Sequence, residues 1–375
     1  MKLLVISHTE HYYDAENKLV GWGPTVTELN HLLSIFEEIY HMAVLSGKEP
    51  APKSALPYIS NKIHFIPLKK VGGNSLKDKC KILLQIPDVL YKVQKTLKEV
   101  DYFQLRTPTA MGTYLIPYLL LVGNKKGWFK YAGNWVQNNP PISYAFQRWM
   151  LQKQRSFKVT INGEWENQPK QCITFENPCL TQENREEGKN TIPHKVNIGK
   201  INFCYVGTFN VEKGIDKILA AIEEYSHSKL GSFYFVGDGE LKEYCCTRTG
   251  EFKINVIFKG FLPKEEINEI YKLCHFIVLP SENEGFPKVI GEAMNYGCIP
   301  IVSNVSCIGQ YITNKKNGFL IVPLSSEKLR AIIEECIIMD ADFFKEMIET
   351  NFSLSEKFTY ANYNKQLKSK ILDLE

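Results

Sequence analysis

No apolar run in the chain is long enough to cross a bilayer. A spanning helix needs about 20 apolar residues; the longest candidate, YLIPYLLLVG from Tyr114 to Gly123, is shorter and contains a proline. The start, MKLLVISH, lacks the long apolar core and small-residue cleavage site of a signal peptide. It reads as a first strand, and a cytoplasmic protein is expected. The ten cysteines show no metal-ligand spacing, and Cys245 and Cys246 are simply adjacent. Free thiols in a reducing compartment are therefore expected. Paired Cys/His spacing of a zinc site is missing. No GxGxxG follows the first strand, which argues against an NAD enzyme. No short-period repeat is present.

What is there suits a soluble globular protein. The 375 residues, 44% hydrophobic and 23% charged, allow two or three domains. The net charge of +4 is unevenly spread: residues 1–180 hold 22 Lys and Arg against 14 Asp and Glu, and the remainder holds 23 against 27. The basic first half is the expected face for an anionic partner, such as a phospholipid surface or a lipid diphosphate. Peripheral contact with the inner face of a membrane is expected; a nucleic-acid partner is not.

In residues 1–180 short apolar runs alternate with helical patterns. KLLVIS (2–7), MAVLS (42–46), KIHFIPL (62–68), DYFQLR (101–106), WFKYAG (128–133) and KVTING (158–163) predict strands. Residues 25–41, 79–100 and 113–123 predict helices, the second with a kink near Pro87. The polar stretch 181–200 carries no apolar period and reads as a linker. Alternation then resumes, with strands at 201–207, 232–237, 255–260, 275–280, 299–303 and 318–322 and helices at 214–227 and 264–273. Such alternation implies parallel βαβ units. The expected class is α/β, with two Rossmann-like doubly wound domains: 1–180, a linker at 181–200, and 201–352. A ligand is expected in the crevice between them, at the carboxyl ends of the strands.

One stretch, SENEGFPKVIGEAMNYGCIP from Ser281, concentrates the chemistry. HFIVLP before it is a buried strand, SENEGF a loop at the strand's carboxyl end, and Pro287 suits the first position of a helix. That helix is expected to stop at Gly297. Its N-terminal N–H groups would face the crevice, ready for a phosphate or a sugar hydroxyl. Glu284 lies just before the helix, and Glu292 lies roughly 7.5 Å further along its axis. Carboxylates accept paired hydrogen bonds from hydroxyls. A ligand with hydroxyls at both ends and a diphosphate between them, a nucleotide-sugar, would satisfy this layout.

An ordered series of segments resembles the GT-B glycosyltransferases of family four, the group 1 transferases. CYVGTFNVEKGIDKIL, FVGDGEL, VIFKGFLPKEEINEIYKLCHFIVLPSENEGFPKVIGEAMNYGCIPIVS and NGFLIV carry it, strongly over 201–322. KYAGNW, TINGEW and FENP are similar to a subset found in bacterial surface-polysaccharide assembly. The resemblance implies a GT-B fold with two domains facing a central cleft, and a tail over 353–375 that packs back on the N-terminal domain. It implies a hexosyl- or related transferase that is retaining, takes a nucleotide-sugar as substrate and needs neither cofactor nor metal. The acceptor would be a glycan or lipid-linked glycan. By the same resemblance Glu292 would bind the ribose hydroxyls and Glu284 would face the donor sugar. The backbone of Gly285, Phe286, Pro287 and Lys288 would hold sugar hydroxyls or the β-phosphate, Lys213 would neutralise the diphosphate, and Gly237 and Gly239 would lie close to the nucleotide.

The chain departs from that pattern in two places. Thr208 stands where an arginine is usual, which leaves Lys213, with Lys288 as a candidate substitute. Gly133, Asn134 and Trp135 replace the segment that commonly holds an active-site histidine, so Arg106 and Asn134, at predicted strand ends, become the acceptor-side candidates. GWG (Gly21 to Gly23) is expected to be a glycine-rich loop near the donor phosphate. DAD (Asp340 to Asp342) mimics the metal-binding Asp-x-Asp of another glycosyltransferase fold, but it lies between late helical segments. Two rivals stand beside the transferase: a catalytically inactive GT-B partner, and a glycoside hydrolase or phosphorylase using the two glutamates.

Overall fold

The computed structural model describes the chain apart from residues 48–49, 71–75, 123–124, 197–198 and 375. The chain forms two compact units, Met1–Phe175 with Tyr363–Glu375, and Glu176–Asn362.

Unit 1 contains β1 (Lys2–Tyr13), β2 (Leu19–Trp22), α1 (Gly23–Leu32), β3 (Glu38–Leu45), β4 (Ala55–Pro57), β5 (Ile63–Lys69), α2 (Leu76–Leu97), β6 (Tyr102–Thr107), α3 (Gly112–Leu121), β7 (Lys126–Tyr131), α4 (Ile142–Lys153), β8 (Lys158–Ile161) and β9 (Cys172–Thr174). Seven strands pair in parallel in the order β5-β3-β1-β6-β7-β8-β9. The chain winds outward from β1 to β5, then returns to β6 on the other side of β1. The carboxyl ends of β1 and β6 are therefore the switch point of the sheet, the place where doubly wound sheets open a crevice. Beyond the parallel register, β1 continues to Tyr13 and pairs antiparallel with β2, which pairs with β4. This short ribbon carries no period of its own and was not expected. The helix expected over 25–41 ends at Leu32; EIYH instead opens β3, which pairs with Lys2 to His11 of β1. A β-branched and aromatic run fits a pleated strand better than a helix end.

Unit 2 contains α5 (Gln182–Thr191), β10 (Ile201–Val206), α6 (Ile215–Ile222), β11 (Leu230–Val236), α7 (Lys242–Arg248), β12 (Asn255–Gly260), α8 (Lys264–Leu273), β13 (Phe276–Leu279), α9 (Lys288–Asn295), β14 (Ile299–Ser303), α10 (Ile308–Tyr311), β15 (Phe319–Ile321), α11 (Ser326–Ile337) and α12 (Ala341–Ser355). Its six strands are parallel in the order β12-β11-β10-β13-β14-β15. The switch point lies between β10 and β13. Stacked Phe203, Phe233 and Phe276 fill the sheet face.

The stretch 181–200, expected as a linker, instead contains α5 and belongs to unit 2. No apolar stripe holds this helix. A capping box between Thr181 and Asn184 starts it, which satisfies two otherwise orphaned amides. Its buried Arg185 then bonds Asn295 Oδ1 at 2.8 Å, Ser355 Oγ at 2.6 Å and Glu356 Oε2 at 3.0 Å, and lies 3.8 Å from the Phe352 ring centroid. Arg185→Met is expected to destabilise unit 2 by about 2–4 kcal/mol, because buried acceptors lose a charged donor. Urea denaturation measures it.

The tail returns to unit 1. α13 (Tyr360–Gln366) and the π-turn after it place Tyr363, Leu367, Ile371 and Leu372 in a core with Leu29, Phe36 and Trp128. DAD serves α12 as an N-cap: Asp340 Oδ1 accepts from the amides of Asp342 and Phe343. Among the described residues no helix is long and apolar enough to cross a membrane.

Candidate functional site

In unit 2 the two loops at the switch point are tied to each other. After β10, Asn210 Oδ1 accepts from the Lys213 amide at 2.9 Å and orders a 3-10 turn, Val211–Lys213. The Glu282 amide, after β13, donates to Glu212 O at 2.8 Å. The result is a contact between residues remote in sequence: Lys213 Nζ lies 2.5 Å from Glu284 Oε1, with the Glu284 side chain 9% exposed. Phe286 is buried, stacked on Phe358 at 4.6 Å between ring centroids, so it anchors the loop from below. Only its backbone is available to a ligand.

α9 then begins at Lys288, with Pro287 at its N-cap and no side-chain cap. First-turn amides of a helix have no intrahelical acceptor, so this end offers donors and positive dipole beside the Lys213–Glu284 pair. Gly297, with φ +76°, follows the helix end as expected. Glu292 points from the second turn. Lys264 Nζ on α8 lies 3.2 Å from Glu292 Oε1, and the buried Tyr271 hydroxyl lies 3.5 Å from Oε2. Neither α8 residue was a sequence candidate. Both sit on an amphipathic helix where a lysine and an aromatic look like ordinary surface and core.

Gly237 and Gly239 follow β11 beside this point. Gly237 has φ +133°, and a Cβ there would come 1.9 Å from Gly207 O; at Gly239 it would come 2.5 Å from Phe209 O. The two loops are thus in backbone contact, which only glycine allows. Thr208 is exposed between them, and its carbonyl accepts from the Tyr205 hydroxyl at 2.7 Å. Lys288 is half-buried in the first turn of α9.

In unit 1 a cavity of about 430 Å³ opens at the β1/β6 switch point, lined by His8, Glu10, Trp22, Thr25, Arg106 and Thr107 among others. Arg106 is buried in its wall. It donates to Gln104 Oε1 at 2.9 Å and Thr25 Oγ1 at 3.3 Å, and its NH2 lies 3.0 Å from Glu28 Oε1. Lys130 Nζ meets the same Glu28 oxygen at 2.6 Å. Tyr363 lies over this group, its hydroxyl 3.4 Å from Glu28. His8 is reached by solvent at the cavity mouth, but desolvation of the ring and the Arg106 charge depress its pKa. The Tyr12 hydroxyl, with Lys70, holds the Glu10 carboxyl below its usual range.

Asn134 does not join Arg106. Its Oδ1 accepts from the Val136 amide at 3.1 Å and shapes the turn after β7. Gly21 and Trp22 lie in β2 and Gly23 opens α1, so GWG is a strand end rather than a loop. A Cβ at Gly21 would come 2.3 Å from His11 Nε2, and one at Gly23 2.7 Å from Ser54 O. Packing explains both glycines.

Behind the cavity runs a neutral histidine relay. The Tyr58 hydroxyl bridges His11 Nε2 and His41 Nδ1 at 2.7 Å each, and Ser7 Oγ lies 2.8 Å from His41 Nε2. Burial pushes the His11 pKa from 6.5 down to about 4. The unfolded chain therefore takes this proton first as pH falls. Unit 1 is expected to lose stability progressively from pH 6.5 to about 4, because the unfolded state binds more protons there. Denaturation against pH should show a shallower slope for His11→Asn than for the native chain.

Two Rossmann-like units, each with a parallel doubly wound sheet, define the GT-B fold, and comparisons with known proteins agree. Residues 188–352, within the second unit, match the family model of glycosyl transferases group 1. An uncharacterized glycosyltransferase of Methanocaldococcus jannaschii, MJ1607, is 26% identical over 168 residues, 43% of this chain and 42% of that protein. The serotype-specific mannosyltransferase WbdA of Escherichia coli is 30% identical over 113 residues, 30% of this chain and 14% of WbdA. The match spans less than half the length of these curated relatives. Over the whole of both chains the fold is that of Anabaena Alr3699/HepE, solved in complex with UDP, at a TM-score of 0.70 and 14% identity.

Proposed function

We propose that the chain is a retaining, metal-independent glycosyltransferase. It would move a sugar from a nucleotide-sugar to a hydroxyl of a glycan or lipid-linked glycan, in the assembly of cell-surface polysaccharide. One observation carries the reading: the Lys213–Glu284 pair, the uncapped start of α9 and the Lys264–Glu292 pair converge on the switch point of unit 2. That sequence of groups matches a sugar, a diphosphate and a ribose in order. Similar proteins support it: a mannosyltransferase and a fold relative crystallised with UDP-glucose.

In this reading Glu292, fixed by Lys264 and Tyr271, accepts hydrogen bonds from the ribose hydroxyls. The backbone at Gly237 and Gly239 approaches the nucleotide. Glu284 accepts from a donor-sugar hydroxyl and holds the Lys213 ammonium beside the diphosphate. In the reaction the bond from C1 to the β-phosphate oxygen breaks, and its electron pair leaves with the phosphate. Lys213 and the amides of Gly285 to Lys288 stabilise the negative charge that develops there. The acceptor oxygen bonds to C1 on the face just vacated, and its proton passes to the leaving phosphate oxygen. That route needs no protein base, consistent with the missing histidine after β7. Arg106, in the wall of the unit 1 cavity, would be the acceptor-side residue in this reading, while Asn134 shapes the turn after β7.

Lys264→Ala is expected to raise the donor KM by about 10-fold with kcat little changed, since it removes positioning of a binding group rather than transition-state charge. Initial-rate kinetics check it. The function itself is tested by screening UDP-, GDP- and ADP-sugars for binding and slow hydrolysis. Turnover of one class supports the proposal. Release of sugar from a neutral glycoside without any nucleotide, or no affinity for any nucleotide-sugar, contradicts it.

A further inference from the structure

α4 turns an apolar face outward. Gln147, Met150 and Leu151 form its buried side. Opposite, Ile142, Phe146 and Trp149 are 90%, 45% and 53% exposed, and exposed Lys153 ends the same line. These positions fall within about 60° of one another on a helix of 3.6 residues per turn. The Phe146 and Trp149 rings stack, with centroids 5.8 Å apart and planes at 16°. Scattered exposed apolar residues are ordinary, but three large ones on a single helix face mark an interaction surface.

The stretch of chain that carries this face is basic, and exposed Glu166 lines a pocket with Arg148 and Gln152 of α4 at its side. Between Asp101 and Glu164 the chain carries eight Lys and Arg and no Asp or Glu. Lys126, Lys153 and Arg155 are exposed, while Lys158 pairs with Asp373 at 2.7 Å. Along the helix the order is aliphatic, aromatic, Trp, then cation. Tryptophan favours the boundary between hydrocarbon and headgroups, and lysine and arginine favour anionic headgroups. A second copy of this face would set like charges against each other, whereas an anionic bilayer offers charge of the opposite sign.

We propose that α4 docks unit 1 on an anionic lipid bilayer. Ile142, Phe146 and Trp149 enter the headgroup–acyl boundary, and Lys153 and Arg155 meet the lipid phosphates. A short stripe with few cations gives reversible, salt-sensitive binding rather than stable anchoring. The inference stands on the α4 surface alone and does not depend on the transferase reading.

The test uses the full chain and vesicles of phosphatidylcholine with or without phosphatidylglycerol. Co-sedimentation is expected with the anionic vesicles, about 10-fold weaker with phosphatidylcholine alone, and lost at high salt. Phe146→Ser/Trp149→Ser should weaken binding by about 10-fold or more, and Lys153→Glu/Arg155→Glu should remove the preference for anionic lipid. Brominated lipid should quench emission of the unaltered chain more than that of Trp149→Phe, a readout that needs no disruptive substitution. The proposal is overturned if the chain ignores anionic vesicles at low salt. It is equally overturned if the variants bind as the native chain does, or if Ile142→Ser dissolves a dimer while vesicle binding is absent.

Discussion

Lys213→Ala is expected to lower kcat/KM by about 10²–10³, mostly in kcat, the range seen when one group stabilising a developing oxyanion is removed. The geometry explains why this loss should exceed that of other basic residues nearby. Lys213 is held from two sides, by the Asn210 cap on its own turn and by Glu284 at 2.5 Å. Its ammonium is thus placed before the donor arrives, and little reorganisation accompanies charge development. Removing it also leaves the Glu284 carboxylate, 9% exposed, beside the incoming diphosphate without its cation. Like charges then oppose binding as well as reaction. Lys213→Ala/Glu284→Gln should accordingly be less impaired than the sum of the single changes, since the two residues act as a unit. Lys288→Ala measures whether the first residue of α9 stands in for the arginine that Thr208 displaces. A loss of donor affinity comparable to that of Lys213→Ala supports the substitution; unchanged affinity contradicts it. Initial-rate kinetics on the four variants decide both points.

Glu28→Gln is expected to destabilise unit 1 by about 3–5 kcal/mol, the cost typical of breaking a buried ion pair from one side. Arg106 and Lys130 both face the same Glu28 oxygen, at 3.0 and 2.6 Å, and all three side chains are buried. The amide replaces that carboxylate with a neutral group and leaves both cations in a poorly solvated interior. Lys130→Met on top of Glu28→Gln should recover part of the loss, because one of the stranded charges goes with it. Urea denaturation of the single and double variants measures this. A loss below about 1 kcal/mol would place the cluster among solvent-screened pairs instead.

The two halves of the chain were unequally legible in the sequence. β12, at 255–260, and α8, at 264–273, match the expected segments, and α9 starts one residue after its proline signal and ends two before its glycine. Those elements carry local signals: apolar runs, a period and breakers. Glu284 and Lys213 could both be placed at strand ends, although their contact could not. It depends on β10 and β13 being neighbours across the switch point, a feature of sheet order rather than of any segment. The Lys264–Glu292 pair was hidden for the same reason. α5 escaped because polar capping and one buried arginine hold it, and neither produces an apolar period. In unit 1 the Arg106–Glu28 pair joins residues 78 apart in sequence. Arg106 read as an acceptor-side residue at a strand end; the carboxylate that holds it gave no signal. GWG read as a phosphate loop because glycine signals freedom equally well where close packing is the cause.

The most direct test of the account is a crystal structure with a bound nucleotide-sugar, or with the nucleoside diphosphate and the sugar. The ribose hydroxyls are expected on Glu292, the β-phosphate within hydrogen-bonding distance of Lys213 Nζ and the amides of Gly285 to Lys288, and the sugar against Glu284. A nucleotide bound away from the start of α9, with Glu292 still paired to Lys264 and touching no hydroxyl, would contradict it.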